Sequence, residues 1–88
     1  MRDLVVTKSF EKKLKKYLTK HQDKEPAIEY VITKLLEDPY AAELQTHRLK
    51  GNLNIFYSSR IDYSHRLLFK MNDSQIILEA IGDHNAVY

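Results

Sequence analysis

The stretch that decides the fold is His65-Arg66-Leu67-Leu68-Phe69-Lys70-Met71, followed by Asn72-Asp73-Ser74 and the largely apolar run Gln75–Ile81. In the first segment, positions 67, 69 and 71 are apolar and fall on one side, and a period of two indicates a half-buried strand. Asn-Asp-Ser is typical of a turn. We therefore predict two consecutive antiparallel strands, the second ended by Gly82.

A third strand is predicted immediately before this pair. Leu53–Ile61 is rich in aromatic and β-branched residues, which strands favour. Three consecutive strands with short connections favour an antiparallel meander at the C-terminal end of the chain. Leu4–Val6 is a short β-prone run that we expect at an edge of the same sheet, and the sequence leaves open which edge.

Two helices are predicted between the first strand and the meander. The first has Ser9 as its N-cap and ends at His21. Pro26 suits the first turn of the second helix, and Pro39 ends it. Their apolar stripes recur at helical spacing, namely Phe10, Leu14, Tyr17 and Leu18 in the first and Ile28, Val31, Ile32, Leu35 and Leu36 in the second.

Together these elements predict an α+β fold. An N-terminal strand is followed by an antiparallel helix hairpin and then by the antiparallel β-meander, with the helices packed on one face of the sheet. The 88 residues contain no Pro/Gly-rich linker, so we expect a single domain over residues 1–88. No segment approaches the roughly 20 apolar residues of a membrane helix. The N-terminus also lacks the apolar region of a secretory signal, so the expected compartment is cytoplasmic.

Several classes of chemistry are excluded by the composition. The chain has no cysteine, which rules out disulfides, a thiolate nucleophile and cysteine-ligated metal. Its four histidines lack helical metal-site spacing, and there is no glycine-rich phosphate loop. No serine adjoins either glycine, which argues against a nucleophile elbow. We expect neither a metal nor a cofactor.

What remains is acid–base chemistry on a basic surface. Residues 47–70 hold five basic side chains against one acidic side chain, and four aromatic residues are interleaved with them. Positive charge combined with aromatic rings suits a single-stranded nucleic acid. His47 precedes the meander and His84 follows it, while Arg60 and Arg66 lie in its middle strands. Two histidines and arginine can cleave RNA through its own 2′-hydroxyl without a metal.

Four motifs give the C-terminal half a family resemblance. They are His47-Arg48-Leu49-Lys50-Gly51, Phe56-Tyr57-Ser58-Ser59-Arg60-Ile61, Tyr63-Ser64-His65-Arg66-Leu67-Leu68-Phe69 and Ile81-Gly82-Asp83-His84-Asn85-Ala86-Val87-Tyr88. With the order of elements, they resemble the RelE/ParE superfamily toxins of bacterial type II toxin–antitoxin systems. The first and last motifs look most like the YafQ and RelE branches.

The resemblance implies a ribosome-dependent, metal-independent mRNA endoribonuclease (an mRNA interferase) that a cognate antitoxin silences. By the same resemblance, His47 and His84 match catalytic histidines, and which acts as base and which as acid stays open. Arg66 matches a phosphate-binding arginine, and Tyr88 a C-terminal aromatic near the scissile bond. Arg60, which stands where YafQ-like toxins carry another histidine, is a second candidate for stabilising the phosphate.

Further RNA contacts are expected from Lys50, Arg48 and Tyr57, with one of the consecutive rings Phe56 and Tyr57 in the core and the other free to stack. His65 is expected to be a partly buried structural residue or an antitoxin contact, and His21 a structural one.

Two other functions share this fold. One is a ParE-like DNA gyrase inhibitor without nuclease activity, which would need no acid–base pair. The other is a degenerate module that only binds its antitoxin.

Overall fold

The computed structural model describes residues 1–83 of the chain. Five strands and two helices make up these residues: β1 (Asp3–Val6), α1 (Lys8–Lys20), α2 (Glu25–Glu37), β2 (His47–Arg48), β3 (Tyr57–Arg60), β4 (His65–Met71) and β5 (Gln75–Asp83). Short 3₁₀ turns at Gln22–Lys24, Ala42–Leu44 and Gly51–Leu53 join them. None of the helices in this part of the chain is both long and apolar enough to cross a membrane.

The strands form one mixed sheet in the order β1-β5-β4-β3-β2. β1 runs parallel to β5, and every other neighbouring pair is antiparallel. This arrangement confirms the predicted α+β class and the meander, and it places the N-terminal strand at the edge beside β5.

The third predicted strand is shorter in the structure than in the prediction. Only Tyr57–Arg60 of the predicted Leu53–Ile61 is extended, because the preceding residues form a 3₁₀ turn. Gly51 opens that turn at a φ of +68°, a left-handed conformation that glycine adopts without strain. The backbone N–H of Phe56 then donates to the carbonyl of Leu53 at 2.9 Å.

The ends of the helices follow local hydrogen bonds. The cap of α1 is Thr7, not Ser9 as predicted, because Oγ1 of Thr7 accepts the backbone N–H of Phe10 at 3.0 Å. The helix ends at Lys20 and His21 is its C-cap, in agreement with the predicted end at His21. Pro26 lies in the first turn of α2, and the helix stops at Glu37, two residues before Pro39.

The main core lies between the helices and one face of the sheet. Its fully buried members come from α1, α2, the Ala42–Leu44 turn, β4 and β5 and include Phe10, Leu35, Leu44, Leu67, Phe69, Ile76 and Leu78. A smaller apolar cluster covers part of the other face and consists of Leu49, Leu68 and Ala80 with the partly buried Leu53 and Phe56. We call this other face of the sheet, on the side away from the main core, the far face.

A β-bulge changes the alternation within β5. Leu68 pairs with Ala80, whereas the next residue, Phe69, pairs with Leu78, so Glu79 is the extra residue. After the bulge the strand continues through Gly82 to Asp83, and the prediction that Gly82 ends it is wrong. The strand continues because β4 still pairs with it at this end.

Candidate functional site

Three of the predicted catalytic residues lie on the far face of the sheet. Leu67 points into the main core, so its neighbour Arg66 points the opposite way. Arg60 pairs directly with Arg66 across the strands and therefore shares its face. His47 pairs with Ser58, two residues before Arg60 on the same strand. The register thus brings His47, Arg60 and Arg66 to one surface.

The spacing on this surface suits a small anion. Directly opposed residues in an antiparallel pair have Cβ atoms about 4.5–5.5 Å apart, and diagonal neighbours about 7–8 Å apart. Arg60 and Arg66 stand in the first relation. His47 and Arg60 stand in the second, across β2 and β3. Side chains as long as arginine and histidine can therefore converge on a single group.

Within the described residues, no carboxylate balances the positive charge of the two arginines. Like charges directly opposite each other in a sheet repel. Within residues 1–83, neither guanidinium forms an ion pair with a carboxylate. Nη1 of Arg66 is moreover buried without a hydrogen-bond acceptor in that part of the chain. A buried, unsatisfied donor is costly, so an anion bound between the two arginines would relieve both penalties.

A glycine lies next to Arg66 on the far face. This cross-strand neighbour, Gly82, has no side chain and is itself buried. Leu68, two residues after Arg66 on the same face of β4, belongs to the small apolar cluster of the far face. Charged donors beside an apolar floor can hold a phosphate together with the attached ring of a nucleotide.

The structure does not bring two of the predicted RNA-binding residues to this face. Tyr57 lies on the helix side, where its ring stacks on Phe69 with centroids 5.8 Å apart. Arg48 pairs with Tyr57 and places its guanidinium 6.0 Å from the centre of that ring. Of the two consecutive aromatic residues, Phe56 is therefore the one on the far face. Lys50 is exposed at the start of the Gly51–Leu53 turn.

The remaining two predicted site residues, His84 and Tyr88, lie outside the described residues. The described chain ends at Asp83, one residue after Gly82, the cross-strand neighbour of Arg66. That the side chains of His47 and His84 lie together beside Arg60 and Arg66 therefore stays a prediction.

Asp62 holds the hairpin that positions the two arginines. Its Oδ1 accepts the backbone N–H groups of Ser64 and His65, each at 2.8 Å. Nζ of Lys24 lies 2.9 Å from its Oδ2. Burial would raise the pKa of Asp62, but the hydrogen bonds from Lys24, His65 and the backbone outweigh it and hold the pKa well below its usual range. Asp62 was not predicted as a site residue, although an aspartate at the start of a turn is a recognisable signal.

The histidines of the helix side form a separate aromatic group. The rings of Tyr17 and His21 stack at 4.6 Å, and His65 contacts both of them edge-on. Nδ1 of His65 also lies 3.0 Å from Oδ1 of Asp62. These contacts agree with the structural role expected of His21 and with the structural alternative for His65, while the alternative that His65 contacts an antitoxin stays a prediction. In residues 1–83, no three histidine or carboxylate side chains gather closely enough to hold a metal ion.

Comparisons with known proteins give the fold and the site a context. Residues 2–88 match the family model described as the bacterial toxin of type II toxin-antitoxin system, YafQ. The toxin YoeB of Streptomyces coelicolor is 35% identical over 51 residues, a match that spans 58% of this chain and 61% of that relative.

Solved structures show the same fold. The crystal structure of YafQ from E. coli aligns with a TM-score of 0.84 at 21% identity, over 100% of this chain and 99% of that one. A YoeB/ParE toxin from Agrobacterium tumefaciens aligns with a TM-score of 0.77 at 21% identity, over 93% of this chain and 98% of that one.

The fold and these matches define a toxin of a bacterial type II toxin–antitoxin system, within the RelE/ParE superfamily. Because the family model spans residues 2–88, the chain belongs to the YafQ toxin family.

Proposed function

We propose that this toxin is a ribosome-dependent, metal-independent mRNA endoribonuclease. The observation that carries the proposal is the opposed pair of Arg60 and Arg66 on the far face, with a buried guanidinium nitrogen that lacks a partner in residues 1–83. A phosphodiester is an anion of suitable size for this pair. Its negative charge grows in the transition state, so preformed donors stabilise the transition state more than the substrate.

The proposed reaction uses a nucleophile that RNA itself carries. One histidine removes the proton of the 2′-hydroxyl, and the 2′-oxygen forms a bond to phosphorus. The bond from phosphorus to the 5′-oxygen breaks, and the other histidine protonates the departing oxygen. His47 and His84 are the proposed pair, Arg60 and Arg66 stabilise the phosphate, and Tyr88 orients a base.

The proposed partners follow from the family. A solved complex of E. coli YafQ with DinJ, which aligns with a TM-score of 0.82 at 21% identity, supports a protein antitoxin as a partner of this chain. The proposed substrate is mRNA on the ribosome, which places the activity in the cytoplasm. No metal or cofactor is needed if the arginines supply the electrostatic stabilisation.

Arginine substitutions on the far face test this function. We expect Arg66→Ala to lower translation-dependent mRNA cleavage about 10²–10³-fold, the usual cost of removing one donor to a developing oxyanion. His47→Ala is expected to lower it about 10²–10⁴-fold, the usual contribution of a general acid or base. Lys12→Ala, which removes an exposed cation from α1, is the control and should cleave like the unsubstituted chain.

Thermal unfolding of each variant separates loss of chemistry from loss of fold. Full cleavage by a folded Arg66→Ala protein would refute the assignment of the far face. Inhibition of DNA gyrase by the unsubstituted chain, with no cleavage of translated mRNA, would refute the nuclease.

A further inference from the structure

A basic and aromatic surface lies on the helix side of the sheet, where the proposed cleavage does not use it. The guanidinium of Arg48 lies over the ring of Tyr57 there. Tyr40, in the turn after α2, and Arg2, at the start of the chain, complete the surface. We call the four residues Arg2, Tyr40, Arg48 and Tyr57 the Arg48 patch.

The two arginines of the Arg48 patch are held in place but keep their charge available. Nε of Arg2 donates to the backbone carbonyl of Asn72 at 2.6 Å, and Nε of Arg48 donates to that of Asn54. Within residues 1–83, neither guanidinium forms an ion pair with a carboxylate. Their terminal nitrogens are therefore positioned donors for an anion from outside the chain.

Tyr40 adds an open aromatic ring to the patch, because the residue is 61% exposed. Burial, followed by the hydroxyl of Tyr57, raises the pKa of Tyr40, whereas the charges of Arg2 and Arg48 lower it. Both guanidinium groups therefore act on the hydroxyl of Tyr40. The exposed Asp38 belongs to the same turn, and its Oδ1 accepts the backbone N–H of Tyr40 at 3.1 Å. A cationic surface with an exposed ring suits a nucleotide, whose phosphate binds the cations and whose base stacks on the ring.

The edge strand β2 connects the Arg48 patch with the candidate site. His47 and Arg48 are consecutive in β2, so their side chains point to opposite faces of the sheet. In the part of the chain that the structure describes, no strand pairs with the outer side of β2. Lys50, two residues after Arg48, is exposed as well. A nucleic-acid strand at His47 can therefore pass around this edge, along cationic side chains, to the Arg48 patch.

We infer that the Arg48 patch binds a second nucleotide of the RNA strand whose scissile phosphate lies on the far face. Arg2 and Arg48 hold the phosphate of this nucleotide, and the ring of Tyr40 stacks on its base. RNA suits the patch better than an acidic peptide does, because carboxylates would use the guanidinium groups and leave the exposed ring without a partner. The choice of RNA as the ligand rests on the proposed function.

Binding of a labelled octanucleotide of 2′-O-methyl RNA to the full chain tests the inference. This probe lacks the nucleophilic hydroxyl, so it is not cleaved. Tyr40→Ala should weaken binding about tenfold, because it removes a stacking ring, whereas Tyr40→Phe keeps the ring and should bind within about twofold of the unsubstituted chain. Arg48→Gln should reduce the slope of log affinity against log salt by about 0.7, as expected for one phosphate contact with a single strand.

A matched control separates the patch from general effects of charge and aromatic area. Lys12→Gln/Tyr30→Ala removes one exposed cation and one exposed ring from the helices, and it should leave the affinity within about twofold and the salt slope unchanged. Its counterpart is Arg48→Gln/Tyr40→Ala. The unfolding temperature of each variant identifies any loss of fold.

Two measurements separate the patch from the proposed chemistry. Tyr40→Ala should weaken binding of the probe equally in the Arg66→Ala background, because the two sites lie on opposite faces. In cleavage of translated mRNA, Tyr40→Ala should need about tenfold more toxin for the half-maximal rate and reach the same maximal rate, since it removes binding and not a contact made only in the transition state.

Three results would overturn the inference. The first is an equal loss of affinity in Arg48→Gln/Tyr40→Ala and in the matched control. The second is a set of probe-induced amide shifts, in the ¹⁵N-labelled chain, that is confined to the far face and leaves residues 40, 48 and 57 unchanged. The third is displacement of the probe by a hexaglutamate peptide, which would make the patch a protein contact. Absence of mRNA cleavage by the unsubstituted chain would refute the nuclease alone, because the probe measures binding without cleavage.

Discussion

Replacement of Asp62 by alanine should destabilise the whole protein and disturb the candidate site together. The carboxylate of Asp62 accepts two backbone N–H groups in the connection between β3 and β4 and also meets Lys24 and His65. This connection sets the register that places Arg60 opposite Arg66. Loss of the carboxylate leaves the N–H groups of Ser64 and His65 without their acceptor.

The size of the effect follows from these contacts. A hydrogen bond to a charged group contributes about 1.5–3 kcal/mol when it is buried. The side chain of Asp62 is 24% exposed, so we assign each of the two backbone hydrogen bonds the lower end of this range. We then reduce that contribution further, because solvent screens a partly exposed charge. The expected loss is about 2–3 kcal/mol. For a domain of this size, that corresponds to a decrease in Tm of roughly 8–24 °C.

Thermal unfolding as a function of pH is the assay. The pKa of Asp62 is lower in the folded chain than its ordinary value, so its charge stabilises the fold above about pH 4. That stability is lost as the pH falls through the folded pKa. Asp62→Asn keeps an oxygen acceptor but no charge and should lose less than Asp62→Ala. The difference between Asp62→Asn and the unsubstituted chain should shrink below pH 4.

The exposed Asp73 offers a matched control in the next turn, because Asp73→Asn removes a carboxylate that makes no hydrogen bond or ion pair within residues 1–83. It should leave the Tm nearly unchanged. Equal unfolding temperatures for the Asp62 variants and the unsubstituted chain at pH 7 would refute the reasoning. So would a deficit of Asp62→Asn that stays constant down to pH 2.

Two further predictions concern the fold. Thr7→Ala should lower the free energy of unfolding, measured in urea, by about 1 kcal/mol, because it removes the acceptor of the Phe10 N–H. Ser9→Ala should lower it by much less, and a larger loss for Ser9→Ala than for Thr7→Ala would identify Ser9 as the cap. Phe69→Ala should cost about 3–5 kcal/mol, since its ring is fully buried in the main core. Phe56→Ala should lower the free energy of unfolding by less, because the ring of Phe56 is only partly buried. Equal losses for Phe69→Ala and Phe56→Ala would contradict the assignment of Phe69 to the main core and of Phe56 to the smaller cluster.

The sequence predicted the elements whose patterns are local. The alternation in His65–Met71 predicted the bounds of β4 as the structure has them, because a strand with one face on a core repeats every two residues. Pro26 and Pro39 bracketed α2 for an equally local reason, the fixed φ and missing N–H of proline. The cap of α1 was misplaced by two residues because Thr7 and Ser9 are both suitable acceptors, and only the backbone geometry at Thr7 decides between them.

The candidate site was predicted as a set of residue types and not as an arrangement. Chemistry and family motifs pointed to His47, Arg60 and Arg66, which the structure brings to one face. They pointed as readily to Arg48 and Tyr57, which lie on the other face. Alternation along one strand gives the relative sides of its own residues. It does not say which residue of the next strand stands opposite.

The sequence by itself determined the family, the order of strands and helices, and the candidate residues for the proposed RNA cleavage, because each of these depends on residue types and short motifs along the chain. Only the tertiary structure decided that Arg60 faces Arg66, that Gly82 lies beside them, and that the extra residue Glu79 shifts the alternation of β5. These features depend on pairing between strands that are distant along the chain. A shift of one residue in that register would turn a strand's side chains to the opposite face.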